Sequence, residues 1–342
     1  MNNIPFITVC MPVYNESEFI KRTIFQILNQ DYPENRFEII VADGHSSDDT
    51  WEIVKKIQLE HPQVLLCENL KRKSSSGRNI GFKKGKGDIF VVIDGHCYIP
   101  DNQLFKNIIN CFEKSGAQCL GRPQPLDPPD ISDFQKAVAL ARKSKIGHGG
   151  DSLIYSNYEG FISPVSNGAI YKKEVIEKIG YVDESFDACE DVEFNCRVEK
   201  AGFKTFMSPT LTIKYYPREN IRSLLQQMIR YGKGRINLLK KYPETFSFTG
   251  VIPFFFVTGI ILMLLSSIIS KTLVSLFIIP YLIYFFLISF FSIKLCINNR
   301  TKYFITHLKI FSTIHTGLGI GQLIGLYDVS IEKMLLLANQ KK

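Results

Sequence analysis

The sequence predicts an α/β protein: a mixed, mostly parallel sheet flanked by helices, followed by C-terminal transmembrane helices. Three observations carry that reading. Apolar, β-branched runs alternate with helix-period segments from Phe6 to Ile93, as in parallel strands joined by right-handed helical crossovers. Three of the first four such runs end at Asn, Asp or Glu, which gathers polar chemistry on one sheet edge. Two uncharged stretches near the C-terminus each exceed the roughly 20 apolar residues that cross a bilayer.

Residues 6–14 (FITVCMPVY) are a continuous apolar run ending in Asn15-Glu16, hence a strand buried on both faces. Ser17 is expected to cap the next helix, where Phe19, Ile20, Ile24, Ile27 and Leu28 recur at helical spacing. Residues 37–44 (FEIIVADG) form a second strand ending at Asp43, and Asp48-Asp49-Thr50 opens a helix carrying Trp51, Ile53, Val54 and Ile57. Val64–Cys67 and Ile89–Ile93 are the third and fourth strands. Beyond Tyr98 the pattern loosens into a helix near 101–115, a Pro-rich stretch from Arg122, a helix near 132–144 and a Gly-rich turn at 147–150. A substrate-binding loop and a plain surface excursion both suit that stretch. Ser166–Tyr171 reads as a strand turning into a helix at Lys173–Ile179, and the segment from Asp187 to Asp191 opens a helix ending near Gly202. Thr210–Tyr216 is strand-like, Pro217 breaks it, and a basic amphipathic helix runs from about Ile221 to Lys241.

The most chemically pointed segment is Asp88-Ile-Phe-Val-Val-Ile-Asp94-Gly-His96. A buried strand ends there in an acid, a glycine and an imidazole, at the strand edge where ligands of α/β sheets sit. Asp94 and His96 can hold a divalent cation, and such a cation can hold a diphosphate. Mg²⁺ and Mn²⁺ both fit. The imidazole, softer than a second carboxylate, favours Mn²⁺ more than an all-oxygen site would.

The chain is 45% hydrophobic with 26 Phe, and the excess is local. No charge lies between Glu244 and Lys271, or between Lys271 and Lys294. Helices over about 249–270 and 273–293 are expected to span a membrane. The stretch 303–326, with His307, Lys309, His315 and four glycines, either spans it or lies in its interface. The membrane region is thus 245–330, with a polar tail at 331–342. Basic residues (Arg230, Lys233, Arg235, Lys240, Lys241) precede the first span, others (Lys294, Arg300, Lys302) follow the second, and only Lys271 lies between. The positive-inside rule therefore expects residues 1–244 to be a cytoplasmic domain of a multi-pass cell-membrane protein. Asn2-Asn3-Ile4-Pro5 leads straight into a strand and is not expected to be a signal peptide. The net charge of +8 suits an anionic substrate and an anionic membrane surface; nucleic acid is not an expected partner. The 8 cysteines have no CxxC spacing and are expected to be reduced core residues.

Together these pieces resemble the family 2 glycosyltransferases, which have the GT-A fold. The resemblance rests on motifs in the family's order between Pro12 and Tyr242: PVYNE (Pro12–Glu16), DGHSSDDT (Asp43–Thr50), GRNIGFKKGKGD (Gly77–Asp88), Asp94-Gly-His96 in place of Asp-x-Asp, Glu190-Asp191, and Gln227-Met-Ile-Arg230-Tyr231 in place of QxxRW. The Asp-x-His turn, YYPR (Tyr215–Arg218), YGKGR (Tyr231–Arg235) and the C-terminal helices look most similar to the succinoglycan-type exopolysaccharide enzymes. Many relatives carry a later His ligand where this chain has Lys214-Tyr215-Tyr216.

The resemblance implies residue roles. Donor binding falls to Pro12, Tyr14, Glu16, Asp43 (accepting the uracil imide N–H), Arg78, Asp94, Gln227, Arg230 and Tyr231. The metal falls to Asp94 and His96. Asp191 is the general base that deprotonates an acceptor hydroxyl, and Glu190 beside it raises its proton affinity by like-charge repulsion. One base and a metal-assisted leaving group suffice for inversion without a covalent intermediate. The implied donor is a UDP-sugar. Cytoplasmic placement at a membrane, rather than the resemblance, makes a polyprenyl-diphosphate-linked saccharide the expected acceptor, in cell-surface polysaccharide synthesis. Two alternatives stand beside this: a processive polysaccharide synthase, and a catalytically dead, membrane-anchored carbohydrate-binding protein. A sugar nucleotidyltransferase is disfavoured, because VYNESEF stands where its Gly-rich loop belongs.

Overall fold

The computed structural model describes residues 4–147, 153–269 and 271–339. They form two compact units: Met1–Asp130 with Ser152–Tyr216, and Ile131–Asp151 with Pro217–Lys342. His148–Gly150 of the expected Gly-rich turn lie outside the described residues.

In the first unit β1 (Ile7–Val13), α1 (Ile20–Leu28), β2 (Phe37–Asp43), α2 (Thr50–Glu60), β3 (Val64–Glu68), α3 (Ser74–Lys84) and β4 (Ile89–Val92) alternate as the hydrophobic pattern predicts. Next come β5 (Cys97–Tyr98), α4 (Leu104–Ser115) and β6 (Cys119–Gly121). Helix α5 (Asp133–Lys143) belongs to the second unit. The first resumes with β7 (Gly160–Ile162), α6 (Pro164–Asn167), β8 (Gly168–Lys172), α7 (Lys173–Ile179), α8 (Glu190–Lys200), β9 (Thr205–Met207) and β10 (Lys214–Tyr215). The main sheet has 8 strands in the order β3-β2-β1-β4-β8-β6-β9-β7. Pairs β3/β2, β2/β1, β1/β4 and β6/β9 are parallel; β4/β8, β8/β6 and β9/β7 are antiparallel. Strands β5 and β10 form a separate antiparallel pair.

Alternation along β1 divides the core between two faces. Ile7, Val9 and Met11 join Ile20, Ile24 and Ile27 of α1 on one side. Cys10 joins Phe82, Phe90, Tyr171 and Phe194 on the other. Helix α3 approaches β1 closely: a Cβ on Gly77 would sit 2.7 Å from Pro12 Cβ, and one on Gly81 would sit 2.5 Å from Cys10 Sγ.

Two local expectations change. Ser17 does not cap α1. The carbonyl of Glu16 accepts from Phe19 N and Ile20 N at 2.9 and 2.8 Å instead, after Asn15 turns the chain with φ 54°. Ser17 N donates to Asp48 Oδ2. In Thr210–Tyr216 only Lys214–Tyr215 pairs as a strand; Pro209–Leu211 winds into a short 3₁₀ turn whose Thr210 N–H is taken by Ser208 Oγ.

The second unit holds α5, α9 (Ile221–Lys241), α10 (Phe248–Ile269), α11 (Lys271–Asn299) and α12 (Phe304–Asn339). The amphipathic helix starts where expected, with Asn220 Oδ1 accepting from Ser223 N at 2.9 Å. Phe248–Ile268 and Ile278–Asn299 are long and apolar enough to cross a membrane, and only 17% and 11% of their most apolar windows are buried. Helix α12 is not among these candidate spans. It continues through the stretch read as a tail. Cβ atoms on Gly232 of α9 and Gly321 of α12 would sit 2.2 Å from Leu318 O and 2.1 Å from Ile229 O, so the two backbones touch. Gly319 meets Pro253 of α10 in the same way. His315 Nε2 lies 2.8 Å from Ile146 O, and Tyr303 OH donates to Asp133 Oδ1 at 2.8 Å, tying the α5 segment to α12 and to the residue before it. The compact units divide at Pro217 and group α9 with the apolar helices.

Candidate active site

Parallel register brings three strand ends to one edge. Val13 pairs with Asp43, and β4 lies beside β1 on its other side, so Tyr14–Glu16, Asp43 and Asp94–His96 emerge together. Asp43, Ser46, His45, Trp51 and Glu68 line a pocket of about 190 Å³. Asp43 is buried, and its carboxylate accepts from Ser46 N at 3.0 Å and from the Ser46 hydroxyl. Pro12 lies beneath Gly77 of α3, and Tyr14 is 51% exposed beside this edge.

The turn between β4 and β5 carries Asp94 and His96, both half-buried. His96 Nδ1 is 2.7 Å from Glu16 Oε1, and the Tyr215 ring stands edge-on to the imidazole at 6.0 Å. Thr23 Oγ1 donates to the Gly95 carbonyl at 2.7 Å and holds the turn against α1. Asp94 makes no hydrogen bond among the described residues. Burial pushes the neighbouring Cys97 thiol well above its usual range. No group of three or more His, Cys, Asp and Glu gathers as a metal cage among the described residues. By donor type, Asp94 and His96 still fit a divalent cation that takes its other ligands from a diphosphate and water.

The acid pair lies at the start of α8. Glu190 is buried against Arg78, with 3.2 Å between Oε1 and Nη2. Burial raises the Glu190 carboxyl above its ordinary value, Arg78 opposes that, and Asp191 adds to it. Burial would lower Arg78, but Glu190, Asp191 and Asp94 outweigh it and hold the guanidinium above its usual range. Arg78 is thus the charge that Asp94 and the acid pair share. Asp191 itself is exposed, its Oδ1 accepting from Val192 N at 2.9 Å. Asn79 does not face the strand edge. Its amide donates to Val182 O at 2.9 Å and Glu184 Oε1 at 2.8 Å and accepts from Val182 N at 2.9 Å, while Ser75 Oγ donates to Phe186 O at 2.9 Å. Helix α3 therefore clamps the loop that leads to Glu190-Asp191.

Gln227, Arg230 and Tyr231 belong to the second unit. Gln227 Nε2 is 3.4 Å from Tyr231 OH, and the Arg142 guanidinium lies over the Tyr231 ring at 6.0 Å. Sequence reasoning missed Arg122, which is 1% exposed and donates from Nη2 to Val92 O at 2.7 Å and to Tyr215 OH at 3.0 Å. Its Nε and Nη1 have no hydrogen-bond partner among the described residues. A three-residue strand before a proline-rich run carries too little pattern to mark it. Trp51 was read only as a helix residue, and one position cannot show that it lines a pocket.

The profile of glycosyl transferase family 2 matches residues 8–180, and that of glycosyl transferase family group 2 matches 134–293. The chain is 32% identical over 235 residues to succinoglycan biosynthesis protein ExoA of Rhizobium meliloti, covering 68% of this chain and 70% of that one. It is 29% identical over 328 residues to dolichyl N-acetyl-alpha-D-glucosaminyl phosphate 3-beta-D-2,3-diacetamido-2,3-dideoxy-beta-D-glucuronosyltransferase of Methanococcus voltae, covering 94% and 97%. Among solved structures it resembles mannosyltransferase PcManGT from Pyrobaculum calidifontis in complex with GDP-Man and Mn²⁺, with TM-score 0.62, 18% identity and coverage of 96% and 88%. With the strand order above and the family match, the chain belongs to the family 2 glycosyltransferases and has their GT-A fold.

Proposed function

We propose that this glycosyltransferase transfers a sugar, with inversion, from a nucleoside-diphosphate donor to a hydroxyl of a lipid-linked saccharide at a membrane. The observation that carries the reading is the charge shared by Arg78, Asp94 and the Glu190-Asp191 pair, beside the Asp43 pocket. Asp43 and Trp51 suit a flat base with an imide N–H, which favours a UDP-linked donor. Asp94 and His96 would hold a divalent cation, which supplies charge stabilisation to the departing diphosphate. Asp191 is exposed enough to meet an acceptor hydroxyl and take its proton as the oxygen attacks the anomeric carbon. Glu190 is the buried partner of Arg78 and keeps that arginine beside Asp94. The acceptor class is supported by the relative named for a dolichyl-phosphate-linked substrate and by the exposed apolar faces of α10 and α11. The basic residues flanking those helices favour a cytoplasmic active site, and residues 1–244 carry all the motifs.

The test uses the full chain in detergent with Mg²⁺ or Mn²⁺, a panel of nucleotide sugars and a lipid extract as acceptor. Release of nucleoside diphosphate and a lipid-borne product of inverted anomeric configuration are expected. No turnover of any donor overturns the activity; a retained configuration overturns the mechanism; full turnover in excess chelator, or by Asp94→Ala, overturns the metal role.

A further inference from the structure

We infer that Glu16 is the positioning residue of His96 and determines which ring nitrogen that imidazole presents to a divalent cation, an inference that rests on reading Asp94 and His96 as cation ligands. The Glu16 Oε1 to His96 Nδ1 distance is 2.7 Å, and the side chains are only 15% and 23% exposed. The carboxylate faces Nδ1, so that nitrogen is turned to Glu16 and Nε2 is the ring nitrogen that would meet a cation. Carboxylates behind metal-bound histidines work in this way: they fix ring orientation and tautomer and strengthen the ligand.

The surroundings are built for that contact. Glu16 is anchored through its own backbone, its N–H donating to Thr50 Oγ1 at 2.8 Å and its carbonyl starting α1. The turn opposite is held by Thr23 Oγ1, which reaches both the Gly95 and Cys97 carbonyls at 2.7 and 3.1 Å. A Cβ on Gly95 would lie 3.0 Å from Glu16 Cγ, so glycine between the two ligands leaves Glu16 room to cross the turn. Tyr215 closes the ring from another side. A second aspartate in place of His96 would need no such partner, because its two oxygens are equivalent donors. An imidazole has one lone pair to offer and must be told where to point it.

The experiment measures Mn²⁺ affinity of the full chain in detergent by calorimetry, with UDP affinity in chelator and thermal unfolding as controls. Glu16→Ala is expected to weaken Mn²⁺ binding roughly 10–100-fold. Glu16→Gln, whose amide oxygen can accept the same hydrogen bond, should recover most of the loss. In a His96→Asp background Glu16→Ala should have no further effect. If Asp94→Ala loses Mn²⁺ while Glu16→Ala binds it like the parent, the positioning role is wrong and the cation reading stands. Equal loss in Glu16→Ala and Glu16→Gln would mark the Glu16 carboxylate as a ligand and also overturn the positioning role. Parental Mn²⁺ affinity in Asp94→Ala would remove the cation reading and this inference with it.

Discussion

Glu190 and Asp191 are neighbours in sequence with opposite surroundings. One is buried on Arg78, the other faces solvent. Their substitutions should therefore fail differently. Asp191→Asn keeps the size and cannot take a proton near neutral pH. It should lower turnover roughly 10²–10⁴-fold with nucleotide affinity and thermal stability little changed. Near-parental turnover would remove Asp191 as the base. Glu190→Gln removes one of the three carboxylate charges around the buried Arg78 guanidinium and should destabilise the chain by about 1–3 kcal/mol, read by denaturant unfolding. Asp43→Ala should weaken nucleotide binding before it changes the rate constant of bound donor.

At the scale of the element, α3 is the piece on which the site depends. Its glycines let it lie on β1, and its polar residues hold both Glu190 and the loop before it. Gly81→Ala puts a methyl group within 2.6 Å of Cys10 Cβ and should cost about 1–3 kcal/mol, because strand and helix backbones must separate. The same clamp predicts a pH dependence. Hydrogen bonds from Asn79 and then Lys71 hold the Glu184 carboxyl below its ordinary value of 4.5. The folded chain therefore binds fewer protons there than the unfolded chain. The stabilisation is complete above the ordinary value and is lost as pH falls through the lowered one. Glu184→Gln should flatten the acid limb of the unfolding profile below about pH 4.5 and leave neutral-pH behaviour free of that slope. An unchanged acid limb would rule out this contribution.

For the whole molecule, the second unit joins the motif-bearing α9 to the apolar helices through glycines. Gly321→Leu would drive a side chain into the Ile229 carbonyl and part α9 from α12. It should lower the melting temperature in detergent and expose α9 to limited proteolysis, while the chain still sediments with membranes and resists alkaline carbonate. Release of the parent chain by carbonate would contradict the reading of α10 and α11 as spans. Cutting the chain after Glu244 should leave the buried α9 face, with Leu224, Met228 and Ile236, open to water, so that piece should aggregate without detergent.

Local chemistry was legible in the residues alone. Strand and helix periods, the uncharged stretches and the acids at strand ends are short-range patterns, and they led to the α/β class, the apolar helices and the family. The strand at β8 was legible, but its antiparallel pairing, the three-residue β6 and the burial of Arg122 were not, because each depends on partners dozens of residues away. The same holds for the roles around Arg78. Sequence adjacency made Glu190 a modifier of Asp191; only the fold adds its pairing with an arginine from α3 and the hold of Asn79 on the loop before the acid pair. Glu16 and His96 were each visible as site residues. Their 2.7 Å contact exists only because β1 and β4 lie side by side and glycine stands between the ligands. A pattern can show which chemistry a residue carries; the partner that orients it is chosen by the tertiary fold.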